Sequence, residues 1–297
     1  MIKLFTHTDL DGVGCAVLAK RAYEDVEVAY CNYGEIDATV SEFIDSGEHE
    51  KYDYVIITDI SVSEEVARKI ENTIAHKIQL LDHHATAKGL NQYEWAYVAD
   101  IIDGVKTSGT SLLFEYLRDD YQMEDVSWFA EKVRRYDTWE WSTKYNDTEA
   151  KQLNDLLYIL GRERFVERFV NDPNPAFTET ERLLLNLEQE RIDAYVTRKT
   201  KEVVIRKIGE YMVGVVFAEQ FISQLGHAIA QEFEDIDFVA IINTPKAVSL
   251  RTAKDIDLSQ IAKRYGGGGH PRAAGIPMKG ESVLEFIDKL FGKGVEG

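Results

Sequence analysis

At 297 residues, with 44% hydrophobic and 29% charged side chains, the chain has room for one large or two ordinary globular domains and holds no apolar stretch long enough to span a bilayer. Its net charge of -18 excludes a protein that coats long duplex nucleic acid, which needs basic patches to release counterions; a short phosphorylated substrate stays compatible, because bound cations and a few arginines invert the sign locally. Cys15 and Cys31 make no disulfide framework, and the first apolar residues are interrupted too soon by His7 and Asp9 for a signal peptide, so a reducing, cytoplasmic location is expected.

Residues 2–5 form a short apolar run that ends at Thr6-His7-Thr8-Asp9-Leu10-Asp11-Gly12. Residues 12–23 have helical spacing, with Val13, Ala16, Val17 and Ala19 on the buried side. A strand is expected over 26–30, a helix over 36–44, and a strand over 54–58 that is nearly continuously apolar, as in a buried parallel sheet. Ser63 is placed to cap the next helix, which runs through Val66 and Ile70, and a fourth strand covers 77–81. Strands alternating with helices predict an α/β fold, a doubly wound, mainly parallel sheet with helices on both faces.

From about Ser108 the pattern is helical, over 108–118, 125–136 and pieces of 154–170; Ser108 reads as a helix cap. Asn171-Asp172-Pro173-Asn174-Pro175 breaks the pattern, and 178–201, free of Gly and Pro, reads as a connecting helix. Strand-like runs at 203–208, 211–217, 238–242 and 247–250, with helices near 222–233 and 258–265, predict a second, smaller α/β domain. The expected division is therefore 1–177, a connector over 178–201, and 202–297.

Ligands of such sheets bind outside the carboxyl ends of the strands. There lie His7, Asp9 and Asp11, then Asp59, then Asp82-His83-His84. Any one of them alone is an ordinary cap or turn residue; at successive strand ends they mark a shared site. His7, Asp9 and Asp11 alternate, so an extended segment points them to one side and a tight loop fans them around a metal pair, with Gly12 easing the turn into the helix. Asp59 can bridge two ions. Two adjacent imidazoles do not suit one ion, so one of His83 and His84 is expected as a ligand and the other on the reacting phosphate. Carboxylates with some imidazole suit two divalent cations, Mn²⁺ first, with Mg²⁺ or Co²⁺ as substitutes, and the cysteine count excludes a Cys-rich zinc site. The pattern is that of a two-metal phosphoryl hydrolase.

A run of four glycines, 266–269, precedes His270, and Arg251 follows the last strand-like run. One reading is a substrate clamp, with the amides of Gly267, Gly268 and Gly269 and the His270 ring on a phosphate, and Arg251 on a phosphate or a base. The other is a flexible linker, against which Ala273-Ala274-Gly275 argues by its small, close-packing residues. Trp139 is expected to pack.

The chain resembles the DHH phosphoesterase superfamily, in which RecJ-type exonucleases, family II pyrophosphatases and small phosphodiesterases are found. His7-Thr8-Asp9-Leu10-Asp11-Gly12 is similar to its first motif, here His-x-Asp-x-Asp where RecJ-type enzymes have Asp-x-Asp-x-Asp. Asp59 is similar to the second, Asp82-His83-His84 to the signature that names the family, and Asp137, in Arg135-Tyr136-Asp137-Thr138-Trp139, to the fourth. The stretch 266–275 resembles the glycine-rich motif of the DHH-associated domain. The resemblance implies that His7, Asp9 and Asp59 hold one ion, that Asp11, Asp59, His83 and Asp137 hold the other, that His84 contacts the scissile phosphate, and that Asp82 orients a histidine. It also implies an active site in the interdomain cleft. The function so implied is Mn²⁺-dependent hydrolysis of short oligoribonucleotides to nucleoside monophosphates, by two-metal attack of a bound hydroxide. Hydrolysis of cyclic dinucleotides or of 3′-phosphoadenosine 5′-phosphate is the alternative, and an inactive nucleotide-binding scaffold the alternative of another class. Short RNA or small nucleotides are the expected partners, with neither long duplexes nor membranes; the oligomeric state is left open, a homodimer included.

Overall fold

The computed structural model describes residues 1–243 and 247–278. Two compact units result, Met1–Leu185 and Asn186–Gly297. The end of the expected C-terminal domain, 279–297, lies outside the described residues.

The first unit is built on five parallel strands, β1 (Ile2–Thr6), β2 (Val26–Tyr30), β3 (Tyr54–Thr58), β4 (Ile78–Asp82) and β5 (Ala96–Val98), in the order β2-β1-β3-β4-β5. Every residue of β1 is buried, because the sheet is covered on both faces. Alternation divides the strands between two cores. Leu4 and Ile56 join the cluster under α1 (Leu10–Ala22), whereas Phe5, Val55 and Ile57 join the cluster under α2 (Ile36–Asp45) and α3 (Glu64–Thr73). Full burial of each such side chain contributes roughly 1.5–3 kcal/mol. The fifth strand was not evident from the sequence, being three residues long and reached through a 3₁₀ segment, Ala85–Gln92.

Two local expectations change. The first helix opens at Leu10 rather than at Gly12, with Asp9 as its N-cap accepting from Gly12 N at 3.2 Å, so Asp11 sits in the first helical turn and not in a loop. Ser63 does occupy the N-cap of α3, but its hydroxyl makes no capping bond; its amide donates to Asp37 Oδ1 at 2.8 Å.

A short hairpin, β6 (Ile101–Ile102) and β7 (Val105–Lys106), leads into helices α4 (Gly109–Leu117), α5 (Ser127–Asp137), α6 (Glu140–Thr143), α7 (Thr148–Leu160) and α8 (Arg162–Asn171). Ser108 caps α4 in a reciprocal pair with Ser111. The long helix α9 (Glu179–Thr200) crosses the division between the units.

The second unit carries a mixed six-stranded sheet, β8 (Val204–Ile208), β9 (Tyr211–Phe217), β10 (Phe238–Asn243), β11 (Ala247–Arg251), β12 (Gly268–His270) and β13 (Ala273–Pro277), ordered β12-β13-β11-β10-β9-β8. Among the described residues only β9 and β10 of this sheet pair in parallel. Helix α10 (Ile222–Glu232) covers one face through Leu225 and Ile229, and α11 (Leu258–Arg264) the other through Leu258 and Ala262. Among the described residues no helix is long and apolar enough to cross a membrane.

Candidate active site

The carboxyl ends of β1, β3 and β4 meet around Asp59. This residue follows β3 with φ +57°, an unusual conformation for a side chain other than glycine, and it is 1% exposed. Its amide donates to Leu81 O at 3.1 Å, tying the turn to the end of β4. Asp59 Oδ1 lies 3.2 Å from His83 Nε2, and Oδ2 is buried with no hydrogen-bond partner. His7 Nδ1 is likewise buried and unpartnered, 2.9 Å from Asp9 Oδ2 without hydrogen-bond alignment and 3.8 Å from Asp59 Oδ2. On the other side of Asp59, His83 Nε2 lies 3.7 Å from Asp11 Oδ2 and 3.6 Å from Asp137 Oδ2.

Three groups of donor atoms therefore converge, each with its atoms within 4.8 Å of one another: His7, Asp9 and Asp59; Asp11, His83 and Asp137; and Asp59, Asp82, His83 and His84. Buried donors left without protons or partners cost free energy. A divalent cation satisfies them, and the oxygen-rich, imidazole-containing donor set fits hard to borderline divalent metals.

The electrostatics follow from this crowding. Burial, and then the charges of Asp11 and Asp9, push Asp59 well above the usual carboxylate range; burial and the same two acids do so for Asp137. Burial also pushes Asp9 upward, but the His7 ring and the Gly12 amide more than offset it and leave Asp9 below that range. Asp11 is stabilised differently. Its carboxylate accepts the first amides of α4, from Gly109 N at 2.5 Å and Thr110 N at 2.9 Å, so a helix N-terminus holds it. That contact requires a bare Cα at position 109, because a Cβ there would lie 2.5 Å from Asp59 Cβ.

Asp137 ends α5, and what fixes it is an ionic lattice one turn away. Arg134, almost fully buried, bonds Glu131, Glu140 Oε2 at 2.6 Å and Lys106 O at 3.0 Å, while Lys132 and Arg135 both reach Asp147. Trp139, expected to pack, is instead 49% exposed with φ +62°, although its ring meets Trp141 edge-on at 5.4 Å. The turn out of α5 needs that left-handed residue, which swings the indole outward.

His84 is oriented by Asp82, whose side chain is inaccessible to solvent. Asp82 Oδ1 lies 2.7 Å from His84 Nδ1 and accepts from His83 N at 2.8 Å, and Oδ2 accepts from Ser61 Oγ. The Asp82 bond, more than anything else, raises the His84 pKa, and burial of Asp82 is outweighed by His84, Ser61 and His83, so it stays ionised. His84 Nε2 lies 3.0 Å from Tyr33 OH. Tyr33 carries no motif in the sequence and was missed; only its place three residues past the end of β2, another strand end on the same side of the sheet, pointed to it.

In the second unit, Arg251 is half-buried with no carboxylate among its described partners; it bonds Leu250 O at 2.8 Å and reaches Ser223 Oγ at 3.4 Å, and burial lowers its pKa. The glycine run is neither an open amide nest nor a linker. Gly266 N and Gly267 N are spent on the carbonyls of Lys263 and Ala262 at the end of α11, and Gly268, Gly269 and His270 form β12, paired with Gly275, Ala274 and Ala273. A Cβ on Gly267 would lie 2.0 Å from Gly275 O, so close strand packing explains that glycine. The His270 side is exposed.

Comparison with known proteins agrees with this geometry. Residues 219–294 match the DHHA1 domain model. The chain is 40% identical to oligoribonuclease NrnB of Bacillus subtilis, over 98% of this chain and 76% of that one. It is 20% identical to a 3′,5′-cyclic-nucleotide phosphodiesterase of Helicobacter pylori, over 96% and 97% of the two chains. The fold matches that of RecJ from Thermus thermophilus, solved with Mn²⁺, at a TM-score of 0.59 and 14% identity, over 97% of this chain and 51% of that one. The parallel sheet with its acidic strand ends, followed by the smaller mixed sheet, defines a metal-dependent phosphoesterase. The chain belongs to the DHH phosphoesterase superfamily, with a DHHA1 domain at its C-terminal end.

Proposed function

We propose that the protein is a phosphodiesterase that degrades short oligoribonucleotides to nucleoside monophosphates. The observation that carries this reading is the convergence of three donor groups on Asp59, with the Asp82–His84 pair beside them. NrnB, an oligoribonuclease, supports the substrate class.

His7, Asp9 and Asp59 would hold one divalent cation, and Asp11, Asp59, His83 and Asp137 a second. Bound there, such ions lower the pKa of water and draw charge off the phosphoryl oxygens. The side chains do the rest. His84, kept in one orientation by Asp82, presents Nε2 to a phosphate oxygen and can pass it a proton. The helix α4 amides hold Asp11 in place. Arg251 and His270 would bind substrate, Arg251 by a charge-assisted bond, since no carboxylate is among its described partners. Mn²⁺ suits the donor set, and the Thermus RecJ was solved both with Mn²⁺ and with Mg²⁺. A cytoplasmic site of action fits the substrate. The Helicobacter pylori relative supports a second reading, hydrolysis of cyclic nucleotides.

The test is Mn²⁺-dependent product release from di- to pentaribonucleotides, cyclic and linear di-AMP, 3′-phosphoadenosine 5′-phosphate and pyrophosphate. Fast release of mononucleotides from the short RNAs is expected. Turnover confined to the cyclic substrates would transfer the reading to the second class, and Asp59→Ala with full activity would end the metal assignment.

A further inference from the structure

Tyr33 has a packing environment too thin for a structural aromatic. Its side chain is 59% exposed, on a turn anchored at both ends: Asn32 N and Nδ2 donate to Glu35 Oε2 at 3.0 and 2.9 Å, and Cys31 N donates to Thr6 O at 2.8 Å. Gly34, next to it, has nothing within 4 Å of where a Cβ would be. The ring nevertheless stands at one place, against His7 at 4.8 Å between centroids and edge-on to His84 at 5.7 Å.

Beside this ring opens a cavity of about 290 Å³. Tyr33 and His84 form one side of it, and Ser61, Val62, Ser63 and Thr86 contribute to the rest. It meets the carboxylate cluster at His84, the residue assigned to the phosphate, and at Asp82 beside it. The walls thus combine an aromatic face, the aliphatic Ile36 and Val62, three hydroxyls and the carboxylates of Asp37 and Asp82, a chemistry that can hold a base by stacking and sugar hydroxyls by hydrogen bonds. A volume of about 290 Å³ beside His84 has room for the nucleoside attached to a phosphate at Nε2.

We propose that this cavity is a nucleoside subsite: the Tyr33 ring stacks on the base of the nucleotide whose phosphate meets His84, and the Tyr33 hydroxyl occupies His84 Nε2 until that phosphate takes it. The proposal rests on the nucleotide reading above and adds which residues grip the base. Tyr33 is a substrate-binding residue here, and the hydrogen bond it makes to His84 in the free protein is surrendered on binding.

The experiment pairs binding with turnover in the Mn²⁺-loaded protein. Binding of 2-aminopurine ribonucleoside 5′-monophosphate is followed by its fluorescence, and KM and kcat are measured on a diribonucleotide and on its abasic counterpart. Tyr33→Ala is expected to weaken nucleotide binding and raise the diribonucleotide KM about tenfold, with kcat and the abasic substrate little changed. Tyr33→Phe keeps the ring and is expected to bind as tightly as wild type or tighter, since no hydroxyl competes for His84. Thr86→Leu, at an exposed wall position, narrows the cavity and is expected to act like Tyr33→Ala. Unchanged KM and binding in Tyr33→Ala, or equal losses with and without the base, would overturn the subsite. Tyr33-dependent nucleotide binding without hydrolysis of any short RNA would retain the subsite and overturn the proposed function instead.

Discussion

Replacing Gly109 with alanine perturbs the carboxylate–histidine cluster without replacing a charged residue. The new Cβ would stand 2.5 Å from Asp59 Cβ, 2.9 Å from its Cα and 3.0 Å from its N. Ordinary contact begins near 3.4 Å, so one side must retreat by close to 1 Å. Neither can do so freely: Asp59 is pinned by its amide bond to Leu81 O, and Gly109 by its amide bond to Asp11. Overpacking of this kind costs roughly 1–3 kcal/mol of stability. A misplacement of that size at a reacting centre costs on the order of a hundredfold in rate. Calorimetric Mn²⁺ titration, a thermal melt and steady-state kinetics on one preparation separate the two effects. A folded variant with weakened Mn²⁺ binding and kcat down about a hundredfold is expected. A folded Gly109→Ala protein with wild-type Mn²⁺ affinity and turnover would refute the idea that Asp59 is held at this point for a cation.

Asp82→Asn should keep the fold, since its amide can still meet Ser61, yet lower kcat by about 10²- to 10⁴-fold because His84 loses the carboxylate that orients it; a near-normal kcat in a pH–rate profile would exclude that role. Asp147 is raised by burial but lowered further by Lys132 and Arg135, so its net shift is downward. A depressed carboxylate contributes stability that is complete above its unfolded pKa of about 3.9 and is lost as pH falls through the lower folded value. Asp147→Asn should therefore unfold more easily than wild type by about 1–3 kcal/mol at neutral pH, and denaturant melts of the two should converge in strong acid; a gap that persists there would point to packing instead. Arg251→Ala should raise KM on oligoribonucleotides while sparing a small artificial phosphodiester, and matched losses on both substrates would remove Arg251 from the substrate path.

Much of the architecture was legible because buried parallel strands are written as unbroken apolar runs, and the strand ends then located Asp59 and Asp82. Boundaries failed where one residue served two purposes. Asp9 was read as a candidate ligand, which hid its role as the cap that starts α1 at Leu10. The β12 strand was illegible because glycine is among the poorest strand formers; Gly267 is small for the sake of the Gly275 carbonyl, a long-range constraint that no local pattern reveals. The left-handed backbone of Asp59 and of Trp139 was equally hidden, since it is imposed by the turns around them. Tyr33 was missed for a different reason: one tyrosine in a loop has no periodicity, and its meaning comes from the rings it stands against.

The two α4 amides that grip Asp11 have a bearing on how ions enter and leave. They supply partial positive charge to the cluster from the first turn of α4, independently of any cation. Asp11 is thus in position beforehand, so an incoming ion finds part of its coordination shell already assembled.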